Sequence, residues 1–391
     1  MSSRGIIALL AALVVLGLLV VVGQRDRTPA SQSGAAFVPG LEAALNDVAS
    51  VALVKAGGEK VATLEKRGGA WVVAEKNAYP ADLGKLRQNL RALAEAKILE
   101  TKTANSEFYD KLGVQDVAGA SATGIAVTIS APGKDFGTLI LGDAHGTKQR
   151  YARRASEAQS YLLDRDPDFP QNGSQWLDAR IVDVRGERVQ QVAIKHADGE
   201  TITISKRAAP AADLTPGTVV NFDVANVPKG RELLYPGVAN VIGNSLRELN
   251  LEDVERADGG AVERPVVVEF KTFDGLVVRA TGSKRGEEDW VSFEASVDDE
   301  QASRFAAPSA AQAAGGAAAQ QGGTAPAAAA EPGAASAAAP ADAAATAAAK
   351  SDTAAEAQRI NDHVAGWRYK VAGFQYDQMT RRMADLLKPV G

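Results

Sequence analysis

The chain has 391 residues, 46% of them hydrophobic and 23% charged, with a formal net charge of −5 at pH 7. That length suits two domains with real cores, and the acidic balance argues against nucleic acid as a partner, whose phosphates call for a basic surface. There is no cysteine, which excludes thiolate catalysis, cysteine-bound metals, disulfides and a lipid-modified cysteine.

Residues 5–23, from Gly5 to Gly23, contain no polar side chain. At about 1.5 Å per residue a helix of that length reaches roughly 28 Å, close to the hydrocarbon thickness of a bilayer. The competing reading is a signal peptide cleaved near Ala30–Ala36. The apolar core of such peptides is usually about 7–15 residues long, and Val22-Gly23-Gln24-Arg25 is a poor cleavage site. The run is therefore read as an uncleaved transmembrane signal anchor. Arg4 on one side and Arg25 and Arg27 on the other leave the positive-inside count nearly balanced. The short tail of residues 1–4 favours a cytoplasmic N-terminus and a body outside, which in a bacterium is the periplasm, with the anchor in the inner membrane. Residues 24–47, rich in Ser, Gly, Pro and Ala between Thr28 and Pro39, read as a tether.

Residues 48–183 form the first expected unit. Val51-Ala52-Leu53-Val54 and Val61 to Glu65 are strands around Gly57-Gly58, and Gly68-Gly69 turns into Trp71-Val72-Val73. Tyr79-Pro80 ends that strand, and Asp82 caps a helix expected to run through Leu99 with Leu83, Leu86, Leu90 and Leu93 on one face. A short turn or helix is expected over Asn105 to Val114. Two hairpins follow, Ile125–Ile129 with Thr138–Leu141 and Tyr151–Arg153 with Ser160–Leu163, and Trp176 to Ile181 closes the unit.

Residues 184–391 repeat the plan. Lys55 and Lys195, and Lys66-Arg67 and Lys206-Arg207, are each 140 residues apart, while Tyr79-Pro80 and Tyr235-Pro236 are 156 apart. The added residues fall around Asp213-Leu214-Thr215-Pro216-Gly217, read as a loop. A period this long means two similar units rather than a solenoid. Val189–Lys195 and Thr201–Lys206 are strands, and Val238–Leu249 is the expected counterpart helix. Pro265–Phe270 with Leu276–Arg279 is a hairpin, and Trp290–Glu294 is the next strand. Its partner is delayed by residues 302–357, almost all Ala, Gly, Pro, Gln and Thr, read as a disordered insertion in a hairpin loop. Such an insertion costs little, because closure entropy grows only with the logarithm of loop length. Gly366–Val371 then supplies the strand, and Tyr376–Leu387 an amphipathic helix with Met379, Met383, Leu386 and Leu387 inward. The fold class expected is α+β: two similar, mostly antiparallel sheets, each with a principal packed helix, after a transmembrane helix.

The chain offers few chemical constellations. His145 and His196 fall in expected turns and His363 near the end of the insertion, and no two have metal-ligand spacing. There is no phosphate-binding Gly-Lys loop and no nucleophile elbow. Asp164-Arg165-Asp166-Pro167-Asp168 holds carboxylates of the type used for acid–base work or cation binding, but a solvated turn explains them. Lys148, Arg150, Arg153 and Arg154 suit acidic headgroups or a partner, or simply an exposed strand face. Lys134-Asp135 and Leu141-Gly142-Asp143 read as turns, and Trp71, Trp176, Trp290 and Trp367 as core. No catalytic, cofactor-binding or metal-binding residue is assigned, no cofactor is expected, and the chain is read as not an enzyme.

Trp71-Val72-Val73, Tyr79-Pro80-Ala81-Asp82 opening a Leu-rich helix, Thr138-Leu139-Ile140-Leu141-Gly142, Tyr151-Ala152-Arg153 and the closing Gly366-Trp367-Arg368-Tyr369 with Asp385-Leu386-Leu387 together resemble the bacterial DUF4340 domain, a family of unknown function. The resemblance runs from Val51 to Leu387 outside the insertion. It implies a membrane-anchored protein of the kind that neighbours ABC-type transport components of the gliding-motility auxiliary class. The expectation is a non-enzymatic accessory or scaffold protein of the cell envelope, bound to the membrane through residues 5–23 and to ABC-type transporter subunits. The alternative is an envelope hydrolase or glycan-binding protein with a site between the two units.

Overall fold

A computed structural model describes residues 33–207, 220–260, 262–305 and 341–389. The apolar run 5–23 and the loop Asp213–Gly217 lie outside these residues. No helix among the described residues is long and apolar enough to cross a membrane. The chain divides into two compact units, one ending at Asp178 and the other beginning at Ala179.

In the first unit the strands are β1 (Ser50–Lys55), β2 (Glu59–Arg67), β3 (Ala70–Val73), β4 (Tyr79–Pro80), β5 (Ile98–Thr101), β6 (Ile125–Ala131), β7 (Lys134–His145), β8 (Gln149–Arg154) and β9 (Ser160–Leu163). They form one antiparallel sheet in the order β4-β3-β2-β1-β6-β7-β8-β9-β5. Helix α1 (Leu83–Glu95) joins the strand at one edge of this order to the strand at the other. It begins where expected, because the Asp82 carboxylate accepts a hydrogen bond from the Lys85 backbone N–H at 2.9 Å. Leu86, Leu90 and Leu93 are buried on one face at helical spacing. The helix stops at Glu95 rather than Leu99, since Ile98 and Leu99 belong to β5, which pairs with β9 through Ile98, Glu100 and Thr101.

The second unit holds β10 (Arg180–Val182), β11 (Val189–Lys195), β12 (Thr201–Ser205), β13 (Asp223–Val224), β14 (Leu249–Arg256), β15 (Val266–Thr272), β16 (Leu276–Arg285), β17 (Glu288–Val297) and β18 (Trp367–Val371). The sheet order is β10-β14-β18-β17-β16-β15-β11-β12-β13, again antiparallel. Traced from β13, it matches the first sheet traced from β3: β3-β2-β1-β6-β7-β8-β9-β5 against β13-β12-β11-β15-β16-β17-β18-β14. Each strand thus corresponds to the one of the same rank in its unit, with β4 and β10 as additions at opposite ends. Ile181, expected to close the first unit, lies in β10 and pairs into the second sheet beside β14.

Three expectations about the second unit change. The helix expected over Val238–Leu249 shrinks to a helical turn at Asn240–Gly243, followed by turns and then by β14 from Leu249. Gly243 weakens the helix there, and the position admits nothing larger, because a Cβ would collide with the buried Phe222 ring. The insertion does join β17 to β18, but residues 341–357 are helical, within α2 (Ala341–Val364). From Ala341 to Val364 there is no Gly or Pro, so the alanines are free to express their high helix propensity. Thr353, Ala357 and Val364 form the buried stripe. Finally, the last helix is broken into α3 (Gly373–Met379) and α4 (Met383–Leu386). Met379, Leu386 and Leu387 are buried and Met383 is half-buried.

Helix α2 has a clear structural task. Strand β18 covers β17 only along Asp289–Val291. Farther on, the Asn361 carboxamide accepts from the Ala295 N–H and donates to the Ala295 carbonyl, both at 2.7 Å. It stands in for a neighbouring strand and satisfies an edge that would otherwise be bare. Arg188 fixes the same helix by donating to both carboxylate oxygens of Glu356, at 2.9 and 2.8 Å, and to Asp274 at 2.7 Å. Fork geometry of this kind is what guanidinium groups provide and ammonium groups do not.

Candidate functional sites

The polar groups singled out in the sequence do not converge. His145 is exposed at the end of β7 and hydrogen-bonds the Tyr151 hydroxyl through Nδ1 at 3.1 Å. His363 lies in α2 with Nε2 2.9 Å from the Arg180 carbonyl. His196, placed in a turn as expected, is buried rather than solvated. Among the described residues no group of three or more His, Asp or Glu is arranged to hold a metal ion.

The cluster read as an exposed basic face is mostly structural. Lys148 is exposed, but Arg153 is buried and donates from Nε to the Val114 carbonyl at 3.0 Å and from Nη1 to the Glu157 carbonyl at 3.0 Å. Arg150 pairs with Asp166 and Asp168, and Arg154 donates to the Phe37 carbonyl and pairs with Glu157. The carboxylates of Asp164–Asp168 are used in the same way, Asp164 accepting from the Lys97 N–H at 2.7 Å. Leu141-Gly142-Asp143 lies inside β7, at a register shift, rather than at its end.

Among the concavities of the described residues, one in each unit combines apolar and charged groups in a way that suits a ligand or partner. In the first unit a groove of about 590 Å3 runs between Trp71 and the Leu83, Leu86 and Leu90 face of α1. Trp71, expected in the core, is only half-buried there. Lys66 donates to the Asn46 carbonyl and stands 5.4 Å from the centre of the Trp71 ring, within cation–π range. Arg91 is paired with Glu95 at 2.7 Å. Arg87, on the same rim, is exposed and makes no ion pair among the described residues. An apolar floor with a cationic rim results.

In the second unit a cavity of about 620 Å3 is lined by the β11–β12 turn, the residues just before β15, Lys284 of β16 and the segment from Tyr376 to Asp385. The turn is tied to the C-terminal segment by Arg382, which pairs with Asp198 and Glu200, and by the Met383 N–H, which donates to Glu200 at 2.9 Å. The hydrogen bond from the Glu200 N–H and then Arg382 hold the Asp198 carboxyl below the usual range. Tyr376 lies against Gly282, where a Cβ would come within 2.7 Å of its ring. Burial, then the charges of Asp289 and Asp377, push its hydroxyl up to about 12, so it is a neutral donor and acceptor at any physiological pH. Lys284 is neutralised by Asp289 at 2.9 Å. Sequence reasoning missed this cavity because its wall brings together turns and helices more than a hundred residues apart, with no local spacing to mark it.

Against known families, the model of a domain of unknown function, DUF4340, matches residues 71–264. The chain therefore carries a DUF4340 region, as the resemblance implied, over a shorter stretch than Val51–Leu387. The match takes in Trp71 and all of α1, and ends at Arg264 on the wall of the second cavity. No curated protein and no solved structure matches the chain significantly.

Proposed function

We propose that the protein is a membrane-anchored, non-enzymatic accessory subunit of the cell envelope, held by residues 5–23 and working beside an ABC-type transport complex. The observation that carries the reading is the groove of the first unit. Its floor of Trp71, Leu83, Leu86 and Leu90 and its rim of Lys66, Arg87 and Arg91 suit an amphipathic segment of a partner protein, which would bury apolar anchors and set acidic groups against the rim. Further support comes from the polar-free run Gly5–Gly23 and from the DUF4340 match. The common strand order of the two sheets supports reading them as an internal duplication in which the first copy keeps the docking role.

A photo-crosslinking residue placed at Arg87 in the full-length protein tests this in native membranes. We expect a discrete adduct with an integral membrane protein, and none from the same residue placed at Glu300 on the second unit. Adducts of equal yield at both positions, or none at Arg87, would refute the docking role.

A further inference from the structure

We infer that the cavity of the second unit binds a small zwitterionic ligand of the amino-acid or short-peptide class, its carboxylate between Arg264 and Arg381 and its ammonium group toward Glu263 and Asp377. All four residues line the same cavity. The other cations on its wall are already compensated, Arg382 by Asp198 and Glu200 and Lys284 by Asp289. Arg264 and Arg381 have no carboxylate partner among the described residues. Among the described residues the buried Nε–H of Arg381 has no acceptor, an unfavourable state for a charged group. Arg381 lines the cavity, and guanidinium forks match carboxylates in shape.

The backbone adds an independent observation. Arg264 adopts a φ of 47° immediately before Pro265. A side-chain-bearing residue in the left-handed region is strained, and strain of this sort concentrates where a side chain must be aimed at a ligand. The opposite charges are also explained. Asp385 is spent on the Arg382 N–H at 2.8 Å, whereas Glu263 and Asp377 are exposed and make no ion pair among the described residues. A phosphate would be repelled by them; a ligand with its own ammonium group would not. Tyr376 and Thr380, on the same wall, supply neutral hydroxyls for the rest of the ligand. The volume of about 620 Å3 falls in the roughly 300–1,000 Å3 range of small-molecule sites.

The test uses the full chain in detergent micelles and trialanine as the probe, with binding read by saturation-transfer NMR. We expect trialanine to bind, its C-terminal amide to bind at least tenfold more weakly, and N-acetyl-trialanine to bind more weakly than trialanine. Arg381→Met and, separately, Arg264→Met should each weaken trialanine at least tenfold, while Arg304→Met, on an exposed helix elsewhere in the unit, should leave it unchanged. Arg264 is exposed, so its variant keeps the test valid if the Arg381 variant is unstable. No transfer to trialanine, equal binding of the amide, unchanged binding by both arginine variants, or inorganic phosphate binding more tightly than trialanine would each overturn the proposal.

Discussion

Gly142→Ala is expected to destabilise the first unit by about 3 kcal/mol, at the upper end of overpacking costs. The position lies in mid-strand, yet a Cβ there would collide with the Leu112 carbonyl oxygen and come within 2.8 Å of Val114 Cγ1. The first obstacle is backbone and cannot rotate away. Neighbouring Gly124 is under the same constraint, its Cβ position 2.7 Å from the Leu141 carbonyl and closer still to that of Gly113. The segment Leu112–Val114 therefore lies directly on β7, and Tyr109, Val114 and Ile140 form a buried cluster with Leu112 and Tyr151 packed on it. Glycine within a strand often marks such an approach. Peptide-resolved hydrogen exchange of the full chain separates the two units and reports the change in each. Protection over residues 105–145 should fall by roughly the 100-fold that about 3 kcal/mol implies, with residues 250–297 unchanged. Gly119→Ala, whose Cβ would meet only the Asp116 carbonyl at 3.4 Å, should have little effect. Equal protection in Gly142→Ala and wild type would refute the close-approach account.

Arg153→Ala should have a comparable effect on the same layer, about 3 kcal/mol. Its guanidinium holds three backbone carbonyls, those of Val114, Ala155 and Glu157, pairs with Asp116 and lies 4.7 Å from the centre of the Tyr109 ring. Removing it leaves carbonyls without donors in a nearly dry site, and each unmet group costs roughly 1–3 kcal/mol. Arg153→Lys should recover less than half of the loss, since an ammonium cannot span acceptors set around a planar fork. The same exchange measurement checks this, with Lys148→Ala as the exposed control. Because Gly142 and Arg153 both serve the Leu112–Val114 layer, the double variant should lose less than the sum of the two. If Arg153→Lys matches wild type, the fork is not what holds the layer.

These effects also show where the sequence was informative and where it was silent. The strands were legible because alternation and turn residues are local: Ile202 and Ile204 are buried while Thr201 is exposed. The matched Lys-turn-Lys-Arg stretches and Tyr-Pro pairs led to two similar units, and the two sheets do share one strand order. Short-range rules failed where tertiary contacts decide. Gly243 reads as a tolerable helix residue until Phe222 is placed against it. The helical part of the alanine-rich segment was hidden because Thr353, Ala357 and Val364 make a packing face too small to register as apolar. Arg153 read as a surface charge because nothing near it in sequence announces the carbonyls it serves. The groove at Trp71 and the cavity at Arg381 are likewise products of long-range assembly, and the residues that matter there carry no motif.

The most direct measurement of the proposed accessory role is a quantitative affinity purification of the full-length protein from native membranes after mild crosslinking, read by mass spectrometry, for wild type and Arg87→Glu. Arg87 is exposed on the groove rim, so the variant reverses the rim charge without touching the core. The account predicts ABC-type permease and ATPase subunits with the wild-type protein and their loss, by tenfold or more, with Arg87→Glu. Recovery of the wild-type protein alone, or with cell-wall glycan in place of membrane proteins, would contradict it.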